Sequence, residues 1–233
     1  MACFVVLPGA GGRGSDWWLV QGELEALGHE LVGVDLPCDQ PVGLEAYVDA
    51  AVAAIGDRRD DLAVVGHSLG GLIAPLVADR VPVGLLAFVT AMVPLPGETG
   101  GEWWGDVGQG EAMAAQHLPD GSDETVFLHD VPAEVLAQTE PPRGQTDTLF
   151  ADPCPLETWP TVPTTFLLCR DDRFFPAEWM ADVVRNRLGI EPTEIPGGHC
   201  PYLSQPKALA AALDHAWRTR SDLPPVALGE LGS

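Results

Sequence analysis

Apolar residues in this chain fall into two kinds of run. Compact stretches at residues 3–7, 31–34, 62–65, 83–89 and 164–169, with another ending near Ile195, have the length and unbroken apolarity of strands buried on both faces. Longer stretches between them read as helices. Residues 15–27 open on Ser15 or Asp16 as a cap and close at Gly28. Residues 44–55 place Leu44, Val48, Ala51, Val52 and Ile55 at helical spacing, and Gly56 follows as a stop. Residues 72–79 are apolar enough for a buried helix, and 177–188 and an alanine-rich 204–218 complete the set. Strand alternating with helix on this scale predicts an α/β fold, a mostly parallel, doubly wound sheet of about six strands.

The alternation breaks at Gly97. From 97 to 160 the chain carries Trp103, Trp104, Met113, Phe127, Phe150 and Trp159 among prolines and glycines, with short helical pieces at 111–118 and 133–139 and no strand. Such a segment inside an alternating chain reads as a helical cap insertion. The expected organisation is residues 1–96 and 161–219 as the core, 97–160 as the cap and 220–233 as a loose C-terminal tail. The aromatics of the cap read mainly as its own core, with Trp103 and Trp104 the candidates to line an apolar substrate pocket.

Gly66-His67-Ser68-Leu69-Gly70 fits G-x-S-x-G, and Gly71 follows it. A strand precedes the motif and a helix follows, as a nucleophile elbow demands: the sharp turn lifts the serine hydroxyl above the sheet. Gly66 and Gly70 let backbone pass where a Cβ would clash. The helix behind Ser68 brings free N–H groups and a positive dipole end to where an oxyanion would form. A serine nucleophile needs a histidine base, and the histidine an orienting carboxylate. The order Ser, acid, His is met by the loops after the last two strands. The first is Arg170-Asp171-Asp172-Arg173-Phe174-Phe175-Pro176, and the second ends in Pro196-Gly197-Gly198-His199. The C-terminal ends of parallel strands share one side of the sheet, so these loops can converge on Ser68.

On these residues the chain resembles the α/β-hydrolase superfamily, and within it the small-cap branch of plant-type methylesterases and hydroxynitrile lyases. The likeness runs from about Cys3 to Trp217. It is densest at the elbow, at residues 88–94, at Cys169 through Pro176, and at His199 through Pro206, where a proline follows the histidine by seven residues. The resemblance implies an α/β-hydrolase fold with Ser68, Asp172 and His199 as the triad, since aligning on Pro176 selects Asp172 over Asp171. It also implies an oxyanion hole from the backbone N–H groups of Leu69 and Ala10. The first loop departs from the family in having Pro8-Gly9 for His-Gly and about one residue more. The lyases of the branch carry a lysine after the catalytic histidine; here it is Cys200, which disfavours cyanohydrin cleavage.

Charge and cysteine usage narrow the picture further. A formal charge of −22, from 34 acidic and 12 basic residues, argues against a nucleic-acid partner. Five scattered cysteines without a C-x-x-C pair suit a reduced protein, not a disulfide scaffold or a zinc site. The N-terminus reads as a strand, not a signal peptide, and no run is long enough to span a membrane, so a cytoplasmic protein is expected. Gly9 to Gly14 also fits G-x-G-x-x-G, with Asp35 placed as a ribose-binding acid would be, but an oxyanion loop explains the same glycines. No cofactor and no metal is expected.

The expected protein is a serine hydrolase, a carboxylesterase for an uncharged, fairly apolar small-molecule substrate, as a monomer or homodimer. The same triad serves lyases, cyclases and dehydratases, and a receptor can be built on this scaffold; those are the alternatives.

Overall fold

The computed structural model describes residues 1–58, 61–223 and 226. Its strands β1 (Cys3–Leu7), β2 (Glu30–Gly33), β3 (Leu62–His67), β4 (Leu85–Val89), β5 (Thr164–Cys169) and β6 (Thr193–Ile195) lie in the order β2-β1-β3-β4-β5-β6, each neighbouring pair parallel. The four interior strands have no exposed residue, whereas β2 and β6 are shorter and leave Glu30, Gly33, Thr193 and Glu194 exposed at the edges.

Side chains alternate across the sheet and sort into two cores. Val5, Leu7, Val64, Phe88, Phe166 and Leu168 face α2 (Leu44–Ile55), α3 (Ala74–Arg80) and α8 (Ala177–Leu188). Phe4, Val6, Ala63, Val65, Ala87 and Leu167 face α1 (Trp18–Ala26) and α10 (Pro206–Arg218). This is the α/β-hydrolase arrangement of a parallel sheet covered on both faces.

Between β4 and β5 come α4 (Gly100–Asp106), α5 (Gln109–Ala114), α6 (Asp123–Val126) and α7 (Ala133–Leu136). The first of these is absent from the sequence reading, although Thr99 and Glu102 form a reciprocal capping box that marks its start. The helix expected over 204–218 is α10, and a separate turn, α9 (Pro201–Ser204), precedes it in one interrupted helical stretch. Gln205, at φ −136 and ψ 45, breaks it, because the residue before Pro206 is driven out of the helical region. The helix expected over 72–79 is α3, and a tight 3-10 turn, Ser68–Leu72, comes before it.

Of the tail expected over 220–233, residues 224, 225 and 227–233 lie outside the described residues. In the described part the Arg220 guanidinium sits 3.8 Å over the Trp217 ring, and Leu223 packs on the α1/α10 core. Among the described residues no helix is long and apolar enough to cross a membrane.

Candidate active site

Ser68 is the first residue beyond β3, at φ +50, a conformation that L-residues rarely adopt. The turn is so tight that a Cβ on Gly70 would lie 2.1 Å from the Leu7 carbonyl oxygen, and the Met92 N–H fixes its other side by donating to Ser68 O at 2.9 Å. The sheet brings the loops after β5 and β6 to the same end. Ser68 Oγ lies 3.0 Å from His199 Nε2, and His199 Nδ1 lies 2.9 Å from Asp172 Oδ2. With Nδ1–H donating to a carboxylate, Nε2 carries the lone pair and accepts from the serine hydroxyl. Ser68, His199 and Asp172 are all buried, and their arrangement fits a catalytic triad.

Asp172 is fully engaged. Its Oδ1 accepts from the Phe174 N–H at 2.8 Å and the Phe175 N–H at 2.9 Å; its Oδ2 accepts from His199 and from the Thr90 hydroxyl. Burial alone would raise this carboxyl, but the His199 ring, the backbone N–H groups and Thr90 hold it below its ordinary value. Thr90 sits just past β4 at φ +38, fully buried. Sequence reasoning missed its part: a threonine after a strand carries no signal until the neighbouring strand sets Asp172 beside it. The strained backbone is consistent with a fixed functional orientation.

His67 holds the backbone of His199. Its Nε2–H donates to the His199 carbonyl at 2.8 Å, and burial, then the neighbouring His199, lower its pKa to about 3, so the ring stays neutral. Phe127, Phe174 and Phe175 place their rings 5.4, 5.1 and 5.2 Å from the His199 ring and enclose it in apolar surface.

A cavity of about 440 Å³ opens above Ser68 and His199. Its apolar wall includes Met92, Trp104, Phe127, Leu136, Phe150 and Phe174, most of them from the inserted segment, and Asp16, Asp123 and Glu140 are also on its lining. Ala10 and Leu69 line it beside the serine. Trp103 does not: it is fully buried, its indole N–H donating to Val93 O at 3.1 Å while its ring packs on Phe175 and Trp179. Adjacent helical residues point about 100° apart, so one tryptophan of the pair faces the core and its neighbour the cavity. Cys200 lines the cavity as a thiol, its pKa pushed up to about 12 by burial.

The glycine-rich first loop is tied to the insertion. The Arg143 N–H donates to Gly11 O at 2.8 Å, Arg13 donates to Pro141 O at 2.8 Å and pairs with Glu140 at 3.3 Å. Asp35, the alternative ribose ligand, instead accepts from the Gly14 N–H at 2.9 Å.

Comparison with known proteins agrees with this geometry. Methylesterase 3 of Arabidopsis thaliana is 27% identical, over 84% of this chain and 89% of its own length. Methylesterase 1 of the same plant is 26% identical over 89% and 92%. Among solved structures, a pyrethroid hydrolase from Sphingobium faniae JZ-2 superposes with a TM-score of 0.79 at 23% identity, over 95% of this chain and 99% of that one, a likeness of fold. A model of the alpha/beta hydrolase family matches residues 4–212, and with the elbow, the loop order and the sheet in agreement the chain belongs to that family.

Proposed function

We propose that the protein is a carboxylesterase with Ser68 as nucleophile, His199 as general base and acid, and Asp172 as the group that orients and balances the imidazolium. The observation that carries this reading is the unbroken relay from Asp172 Oδ2 through both His199 nitrogens to Ser68 Oγ, at 2.9 and 3.0 Å, on the floor of the apolar cavity. His199 Nε2 takes the Ser68 proton as Oγ attacks the ester carbonyl, then returns it to the departing alcohol. The acyl-enzyme so formed is released by water activated through the same nitrogen. The Leu69 and Ala10 N–H groups, beside the serine on the cavity lining, receive the tetrahedral oxyanion.

Residues 97–160 act as the cap that shapes the substrate. Trp104 and the phenylalanines favour an apolar acyl or alcohol group, and the carboxylates of Asp16, Asp123 and Glu140 disfavour an anionic one. The Arabidopsis relatives named methylesterases support methyl esters of apolar acids as the substrates to try first.

The test is turnover of p-nitrophenyl esters from acetate to octanoate and of such methyl esters, beside Ser68→Ala. Expected is a preferred chain length and a loss of at least about 1000-fold in the variant. Turnover equal to that of Ser68→Ala, with Ser68 still labelled by a fluorophosphonate, would overturn hydrolysis in favour of a non-hydrolytic reaction.

A further inference from the structure

Three groups fix the backbone of residues 197–199, the loop that delivers the base. Asp171 Oδ2 accepts from the Gly197 N–H at 3.2 Å, His67 donates to the His199 carbonyl, and Asp130 Oδ2 accepts from the Gly198 N–H at 2.7 Å. The first two belong to the sheet and its loops. Asp130 comes from the insertion, three residues after Phe127, whose ring stands 5.4 Å from that of His199.

The contact at Gly198 is close. A Cβ there would lie 2.6 Å from His129 Cε1 and 2.8 Å from Asp130 Oδ1, so any larger residue would push these side chains off the loop. Asp130 Oδ1 and His129 Nδ1 are buried and have no hydrogen-bond partner among the described residues.

We propose that Asp130 is a positioning residue, holding the Gly198 backbone so that the seating of the insertion and the orientation of the His199 imidazole are one event. This rests on His199 acting as the base of the esterase reading above. A hydrogen bond from a backbone N–H to a carboxylate is charge-assisted, strong and short, suited to fixing a loop in one place. The imidazole is joined to Gly198 by one residue, so a displaced Gly198 turns Nε2 away from Ser68.

The experiment compares Asp130→Ala and Asp130→Asn with the wild type, reading kcat and KM on p-nitrophenyl esters, the rate of Ser68 labelling by a fluorophosphonate, and Tm. Thr99→Ala is the comparator, since it removes the capping box of α4 in the same insertion and touches neither catalytic loop. In Asp130→Ala, kcat and the labelling rate fall together by about 10- to 100-fold, as for a group displaced by a fraction of an ångström to an ångström. KM stays within about twofold. Asp130→Asn retains most activity because its amide oxygen still accepts from Gly198, and Thr99→Ala lowers Tm while leaving kcat in place.

Should Asp130→Ala fail to fold, Asp130→Glu, which misplaces the same acceptor, takes its part with the same expectation. An unchanged labelling rate in the variant, or an equal loss of kcat in Thr99→Ala, would overturn the proposal. If the wild type labels but does not turn over esters, the esterase reading fails, and the labelling rates alone still decide the role of Asp130.

Discussion

The sheet and the segment inserted after β4 both reach the catalytic cavity, but they are held in place by different means. Interior strands are buried along their whole length, and the longest of their flanking helices, α2, α8 and α10, have 12, 12 and 13 residues. Helices of the insertion have between 4 and 7 residues, too short to be stable through their own hydrogen bonds. Apolar anchors, Trp103, Leu149 and Trp159, tie the segment into the main core, and polar clips fix it further. Gln109 donates to Phe174 O at 2.8 Å, the Trp179 indole to Val107 O at 2.7 Å, and Arg143 to Leu36 O at 2.9 Å. Arg187 closes the base of the insertion with a buried two-pronged pair to Glu98 at 2.6 and 2.7 Å. The triad rides on the sheet, and most of the apolar cavity wall rides on the insertion. Trimming the wall at Trp104 is expected to leave the loops of Ser68, His199 and Asp172 in place, whereas the Asp130–Gly198 contact ties the insertion to the His199 loop and repacking the sheet shifts all three loops together.

Trp103 and Trp104 test that division most directly, because adjacent residues of one helix fall on opposite sides of it. Trp103→Ala removes a fully buried indole from the core and is expected to lower stability by about 3–5 kcal/mol, read as a fall in the unfolding midpoint. A midpoint close to wild type would mean that α4 is not part of the core at all.

Acid should strain the sheet side next. Folded His67 binds its proton at about 3 instead of 6.5, and Asp172 too is held below its ordinary value, so the unfolded chain takes up protons that the folded chain does not. Stability therefore falls as pH drops from about 6.5 toward 3, by on the order of a few kcal/mol at pH 4 from His67. Melting temperatures at pH 7, 5 and 4 measure this. His67→Gln, which keeps a donor for the His199 carbonyl, should flatten the slope, and an equally steep slope in that variant would assign the proton uptake elsewhere.

Trp104→Ala is the mildest change. It opens the half-buried cavity wall, so the preferred p-nitrophenyl ester should move to a longer chain while the melting temperature shifts by only a few degrees. A loss of kcat on every chain length would show that the wall and the triad are coupled more tightly than the clips suggest.

Much of this architecture is written into short-range pattern. Short apolar runs bounded by turn residues read as interior strands, G-x-S-x-G between a strand and a helix reads as a sharp turn that lifts the serine hydroxyl, and parallel strands put their following loops at one end. Those constraints sufficed for the sheet, for the elbow and for Ser68 and His199 as candidates, while the choice of Asp172 over Asp171 rested on the resemblance to the family. Contacts between residues far apart in the chain carried no such signature. The Thr90 hydroxyl meets Asp172 only because β4 lies beside β5, and Asp130 meets Gly198 only because an irregular segment folds back over β6. The turning of Trp104 into the cavity and Trp103 away from it depends on the phase of a helix whose neighbours are Phe175 and Trp179, residues more than 70 positions away. Local stereochemistry determined which loops carry the candidate triad. Only tertiary packing decided what orients them and what surrounds the substrate.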